Sequence, residues 1–211
     1  IGLIPRFYDA TGGQVLLDGQ DVRSFTFDAL YDRLGYVTQK ATLFSGTVES
    51  NVFFGSGAAA ETDEGLQRAL GLSQAAEFVN AYPEGAQRAI AQLGRNVSGG
   101  QKQRLAIARA LARGAEILIF DDSFSALDYR TDAKLRAGLG TQMAGVTKII
   151  VAQRISTIRH ADEILVLDRG EIVGRGTHEE LLRTCEVYRE IAGSQLSERE
   201  LQEGGAQHEA E

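Results

Sequence analysis

The 211 residues include one cysteine, two prolines, one methionine and no tryptophan. A lone thiol, Cys185, excludes an intrachain disulfide and points to a reducing compartment. So few prolines exclude a proline-rich linker protein. No apolar run approaches the roughly 18–20 residues a membrane span needs; the longest are of the kind Ile117-Leu-Ile-Phe120. Positive charge is also in short supply: 22 Lys+Arg against 29 Asp+Glu leave a formal charge of −7, which argues against a nucleic-acid binder. No secretory leader is visible, and the first residue is Ile rather than Met, so the chain reads as a fragment. The 43% hydrophobic and 24% charged residues exclude wholesale disorder and match a globular domain, alone or with a subdomain.

The negative charge gathers at the end. From Ser194 the chain carries five Glu and one Arg, which reads as a short helix fraying into a solvated acidic tail over 194–211. Earlier, Gln14 to Asp18 reads as a strand leaving through an Asp18-Gly19 hairpin turn, and Leu34 to Thr38 as another strand. Thr47 to Gly55 reads as a loop leading into a short helix. Thr62 is expected to cap a helix over TDEGLQRALGL, and Ser73 a second over SQAAEFVNAY. A third, QKQRLAIARALAR, places Leu105, Ala108, Leu111 and Ala112 on one face. Three apolar runs follow, Ile117–Phe120, Lys148–Ala152 and Glu163–Leu167. Their unbroken character predicts strands covered on both faces, as in a parallel sheet. Asp168-Arg-Gly170 then turns into a hairpin partner, and Gly176-Thr177-His178 opens one C-terminal helix. His160, His178 and His208 read as surface or turn residues. The order is that of an α/β domain carrying an α-helical insert.

Three local signals carry chemistry. Ser98-Gly99-Gly100-Gln101 stands at a helix start, where free N–H groups favour an anion and two glycines permit close approach; alone, it is also an ordinary glycine turn into a helix. The strand Ile117–Phe120 runs into Asp121-Asp122, and acids at the carboxyl edge of a parallel sheet sit where ligands bind and suit Mg²⁺; alone, one Asp could simply cap the next turn. Gln39, ending a strand, says nothing by itself.

Taken in order, these segments resemble the nucleotide-binding domain of ABC transporters up to about Gln195. VSGGQKQRLAIARAL resembles the family's signature motif, ILIFDD its Walker B strand, SALD at Ser125–Asp128 its D-loop and VTQK around Gln39 its Q-loop. PRFYDATGGQVLLDGQDV and ADEILVLDRGEIVGRGTHEEL resemble the flanks of exporter-type members. The resemblance implies an α/β P-loop NTPase, an ABC ATPase with a RecA-like core and an α-helical subdomain. Core segments are expected over 1–54 and 114–193, with the subdomain over 55–113.

Two features depart from the family. No G-x-x-x-x-G-K-[ST] occurs, nor any Gly-Lys dipeptide. The family places that phosphate loop just upstream of the PRFYD segment, so the expectation is a fold missing its N-terminal strands and phosphate loop through truncation. The isolated chain should then bind ATP poorly. The family also usually carries Glu after the Walker B Asp, where this chain has Asp122, and a switch His where IVAQRISTI has Gln153. Asp is shorter by about 1.5 Å, and Gln can donate a hydrogen bond to phosphate but cannot carry a proton charge. Two substitutions beside an intact signature resemble the degenerate-site half of heterodimeric exporters.

The resemblance implies ATP and Mg²⁺ as ligands. Asp121 would face Mg²⁺ through water, Asp122 would be a weakened base, and Gln39 would touch the ion or the attacking water. Gln153 would contact the γ-phosphate. Ser98, Gly99, Gly100 and Gln101 would complete a partner's ATP site, and Asp128 would bridge the two sites. Implied partners are a second, different ABC nucleotide-binding domain and a transmembrane domain fused upstream, holding the protein at the cytoplasmic face of the membrane, with no nucleic acid. The competing reading is a truncated, non-catalytic interaction module. A chromosome-maintenance ATPase shares the signature and Walker B motifs, but needs long heptad coiled coils where this chain has a short insert.

Overall fold

Asp18 and Gly19 both adopt positive φ, 50° and 80°, the geometry of a tight two-residue hairpin turn. They join β1 (Leu16–Leu17) to β2 (Gln20–Asp21), with Leu17 opposite Gln20. In this computed structural model, which describes residues 1–56 and 61–196, the chain divides into two units, Ile1–Val151 and a second beginning at Ala152.

The first unit is built on a three-stranded parallel sheet of order β3-β6-β7, formed by Leu34–Val37, Ile117–Asp121 and Thr147–Val151. The central strand explains its own sequence: Leu118, Ile119 and Phe120 are fully buried, flanked by a parallel neighbour on each side. Helix α1 (Phe27–Asp32) precedes β3, and between β3 and β6 come β4 (Gly46–Thr47), α2 (Val48–Val52), α3 (Asp63–Leu72), α4 (Ala76–Val79), β5 (Ala89–Ile90) and α5 (Gly99–Ala112). Helix α5 buries Leu105, Ala108, Leu111 and Ala112 as its pattern predicts, and Ala106, Ile107 and Ala110 besides. It packs against α2, α3 and β3 together, so little of its circumference meets water. Gly35 makes that approach possible: a Cβ there would stand 2.6 Å from Leu118 Cδ2 and 3.0 Å from the Ala110 carbonyl. Helix α6 (Tyr129–Gln142) follows β6.

Two expectations are corrected in this unit. Ser73 does not start a helix; it ends α3, with its buried Oγ donating to the Leu70 carbonyl, and α4 starts at Ala76 with no side-chain cap. The hydroxyl that could have capped the next helix is drawn back to the preceding one. Helix α5 also begins at Gly99 rather than Gln101, so both glycines lie within its first turn.

In the second unit, α7 (Ile155–Ile158) precedes β8 (Ile164–Asp168), which pairs antiparallel with β9 (Glu171–Gly176) through a turn with Arg169 and Gly170 at positive φ. The apolar run of β8 is therefore one strand of a hairpin and not a doubly covered parallel strand. Ile164 and Val166 are buried while Leu165 and Leu167 are 48% and 65% exposed. The expected single C-terminal helix is two, α8 (His178–Thr184) and α9 (Glu186–Gln195), parted at Cys185 by extended backbone. That bend seats the thiol against β9, where a Cβ on Gly174 would come within 2.8 Å of it. His178, expected at the surface, is only 5% exposed, and its Nδ1 lies 2.8 Å from the Tyr188 hydroxyl. His160 is exposed. His208 and the acidic segment 197–211 lie outside the described residues.

Candidate functional site

Strand β6 delivers Asp121 at its carboxyl end, and the parallel register places Tyr36 of β3 opposite Ile119, on the same face two residues earlier. The Tyr36 ring spans that gap, and its hydroxyl donates to Asp121 Oδ2 at 2.9 Å. Burial and the Asp121 carboxylate push the phenol up to about 12, so it stays a donor at neutral pH. Phe7 and Tyr36 pack their rings in a T-shaped pair, centroids 5.2 Å apart.

Asp122 carries the chain out of the strand with φ at 45°, a left-handed conformation that Asp tolerates better than bulkier residues. Its N–H donates to the Val151 carbonyl at 3.0 Å, and its Oδ2 accepts the Gln39 amide at 3.1 Å. Gln39, 83 residues away in sequence, thus meets the second acid directly. Below them the buried Ser123 hydroxyl donates to the Val37 carbonyl at 2.9 Å, tying the end of β3 to the end of β6. The Ser125 hydroxyl donates to the Asp122 carbonyl. Asp128 caps α6, one oxygen accepting the Thr131 N–H and the other its hydroxyl, bonds that hold its carboxyl below the usual range.

The Ser98–Gln101 segment is closed by its own side chains. Ser98 Oγ accepts the Gln101 N–H at 3.3 Å and Gln101 Oε1 accepts the Ser98 N–H at 3.0 Å, a reciprocal capping box. The N–H groups of Gly99 and Gly100 have no carbonyl within the helix to reach, because they lie in its first turn. Among the described residues, a Cβ on Gly99 would meet nothing within 4 Å, and one on Gly100 would meet only the Ala126 carbonyl at 3.4 Å. Further along α5, Gln103 is 2% exposed and its amide lies 3.4 Å from the Thr38 carbonyl, beside the segment that carries Gln39.

Gln153 is an exposed residue of the second unit, between Ala152 and α7. Its backbone carbonyl accepts the Gln195 amide at 2.8 Å, while Gln195 Oε1 accepts the Ile155 N–H at 2.9 Å, so α9 braces the loop from both sides. Sequence reasoning missed Tyr36, Ser123 and Gln195 as parts of these settings. Tyr36 could have been reached only by pairing β3 with β6 in register; nothing local marks Gln195.

Chemically, the strand ends offer two carboxylates and an amide whose nitrogen faces one of them. Among the described residues no group of three or more His, Cys, Asp or Glu stands together as a self-contained metal cage. The hard-oxygen set fits Mg²⁺, which is commonly held by one or two carboxylates with waters and phosphate oxygens supplying the rest. Also among the described residues, no helix is long and apolar enough to cross a membrane.

The family model described as ABC transporter matches residues 1–125. An uncharacterised ABC transporter ATP-binding protein of Mycobacterium bovis is 48% identical over 92% of the chain and 33% of its own length. An ATP-dependent lipid A-core flippase of Xanthomonas oryzae is 44% identical over 95% of the chain and 34% of its own length. The structure of a bacterial Atm1-family ABC exporter with ATP bound superposes with a TM-score of 0.88 at 37% identity, over 93% of this chain and 34% of that one. The chain thus spans about a third of the length of these relatives. With the strand-end acids, the capped Ser98–Gln101 helix start and the mixed α/β fold, these likenesses make the chain a member of the ABC transporter family, an ABC ATPase domain homologous to those of exporters.

Proposed function

We propose that this chain works as the ATP-binding domain of an exporter, meeting a second nucleotide-binding domain across ATP and coupling its hydrolysis to transport by a membrane-embedded domain. Its place is the cytoplasmic face of the membrane. Asp121 would face Mg²⁺, which when bound neutralises phosphate charge. Asp122 would orient the attacking water, and Gln39, already on Asp122 Oδ2, would align that carboxylate. Gln153 would reach the γ-phosphate. The N–H groups of Gly99 and Gly100, with Ser98 and Gln101, would complete the partner's site, and Asp128 would stand between the two.

The further reading is of asymmetry. Asp122 is a methylene shorter than the family's usual Glu, and misplacement by about 1 Å can cost on the order of 10²-fold in rate. Gln153 lacks the proton chemistry of His. This chain's own site is therefore the slow one, and the partner's site, which uses the Ser98–Gln101 segment, the fast one. The observation that carries the reading is the pairing of a shortened, Gln39-held acid with a helix start where Gly99 answers to no packing need among the described residues. ATPase assays on the full-length protein, alone and co-purified with the chain encoded beside it, test it. Activity confined to the pair is expected; brisk turnover by the protein without that partner would refute the asymmetry, and no activity in either would favour a non-catalytic interaction module.

A further inference from the structure

Nothing in the motif pattern calls for a tyrosine beside Asp121, yet Tyr36 is built into place. The parallel register sets it on the Asp121 face of the sheet, two residues short of the acid, and its long side chain bridges that distance from β3. The Phe7 ring packs against it in a T-shaped contact, and the hydroxyl ends on Asp121 Oδ2 at 2.9 Å. A carboxylate otherwise turns broadly about its last torsion. One that accepts a fixed hydroxyl on Oδ2 is held, with Oδ1 left for a ligand.

We infer that Tyr36 is a positioning residue for the divalent-cation site, holding Asp121 so that Oδ1 meets a water of the cation. The inference rests on the reading of Asp121 as the cation-facing acid. Partners of this kind behind a metal-facing group typically contribute 10- to 100-fold to metal affinity; with a water between acid and ion, the lower end applies.

The test uses the full-length protein assembled with its partner, a fluorescent ATP analogue, and Mg²⁺ titrated from zero, reading the slowly released nucleotide. Tyr36→Phe keeps the ring and its packing on Phe7 and removes only the hydroxyl. It is expected to raise the Mg²⁺ needed for half-maximal slowing of release by about tenfold, with Mg²⁺-free nucleotide binding unchanged as the sign of an intact site. Asp121→Asn, run alongside, separates the two layers of the argument. If Asp121→Asn shifts the Mg²⁺ dependence and Tyr36→Phe does not, Tyr36 merely packs and the inference fails alone. If neither shifts it, the reading of Asp121 fails and the inference falls with it.

Discussion

The strand-end acids and the Ser98–Gln101 helix start belong to the same unit but are built on opposite plans. Around Asp121 and Asp122 the bonds are long-range: Tyr36 and Gln39 reach them from 85 and 83 residues away, and Ser123 ties the two strand ends together. Around Ser98 the side-chain bonds span three residues, and Gly99 leaves space that none of the described residues fills. A cluster held by distant partners is finished within its own fold. The self-capped turn has N–H groups left over by the helix, and in the proposed dimer they would meet the partner's nucleotide.

The strongest way to break that contrast is to block the open turn. Ser98→Arg places a long side chain where the partner's phosphate would lie. Turnover of the assembled transporter should fall 100-fold or more, about 2.7 kcal/mol in barrier, in a steady-state ATPase assay. Gly99→Ala refines the result, because the added methyl meets nothing among the described residues. The domain's stability should then stay within about 0.5 kcal/mol of the parent while turnover drops. If Gly99→Ala leaves turnover untouched, the empty space beside Gly99 has no ligand.

Next in size is Asp122→Glu, which restores about 1.5 Å of reach. If the shortened acid limits this site, release of phosphate from the slowly exchanging nucleotide should quicken by about tenfold, as a single-turnover measurement would show. A flat response would mean that position 122 does not set the rate. Smaller still is Gln153→Ala, which should change overall turnover by no more than about twofold, since the fast site lies elsewhere in the proposed pair. A large loss there would undo the asymmetry.

The same contrast explains what could be seen in the sequence. The hairpin at Asp18-Gly19, the acids ending an apolar strand and the capped helix at Thr62 all follow from neighbours within a few residues, and the structure has them. What depends on distant partners was hidden. Ser73 had two helices to choose between, and only packing sent its hydroxyl to Leu70. The run in β8 is as apolar as that in β6, yet it alternates in burial because its neighbour is a hairpin strand. Cys185 looks like any helical residue until its thiol is seen against Gly174. Helix α6, with two glycines and only Asp132, Leu135 and Leu139 buried, offers little amphipathic pattern to read. The acids at the candidate site were legible; the Tyr36 and Gln39 bonds that aim them were not.

The smallest expected effect extends the contrast to the second unit, where a buried pair has no counterpart at the strand ends. His178 is enclosed with its Nδ1 on the Tyr188 hydroxyl, and burial pushes its pKa below 6.5, with Arg159 and His160 adding to the shift and Glu179 opposing it. Tyr188, pushed up to about 12 by burial, remains a hydroxyl. A histidine whose folded pKa is depressed binds fewer protons than its unfolded form between the two values, so stability rises with pH across that window. Stability is therefore intact above about pH 6.5 and drains as the pH falls toward the folded value, because the imidazolium is favoured only once the unit opens. Thermal unfolding followed from pH 7.5 to 5.5 should show a falling midpoint, and His178→Gln, which keeps a polar side chain without a titrating ring, should flatten that fall. Equal slopes for the two proteins would place the acid sensitivity in other groups and leave the His178–Tyr188 pair as neutral packing at every pH tested.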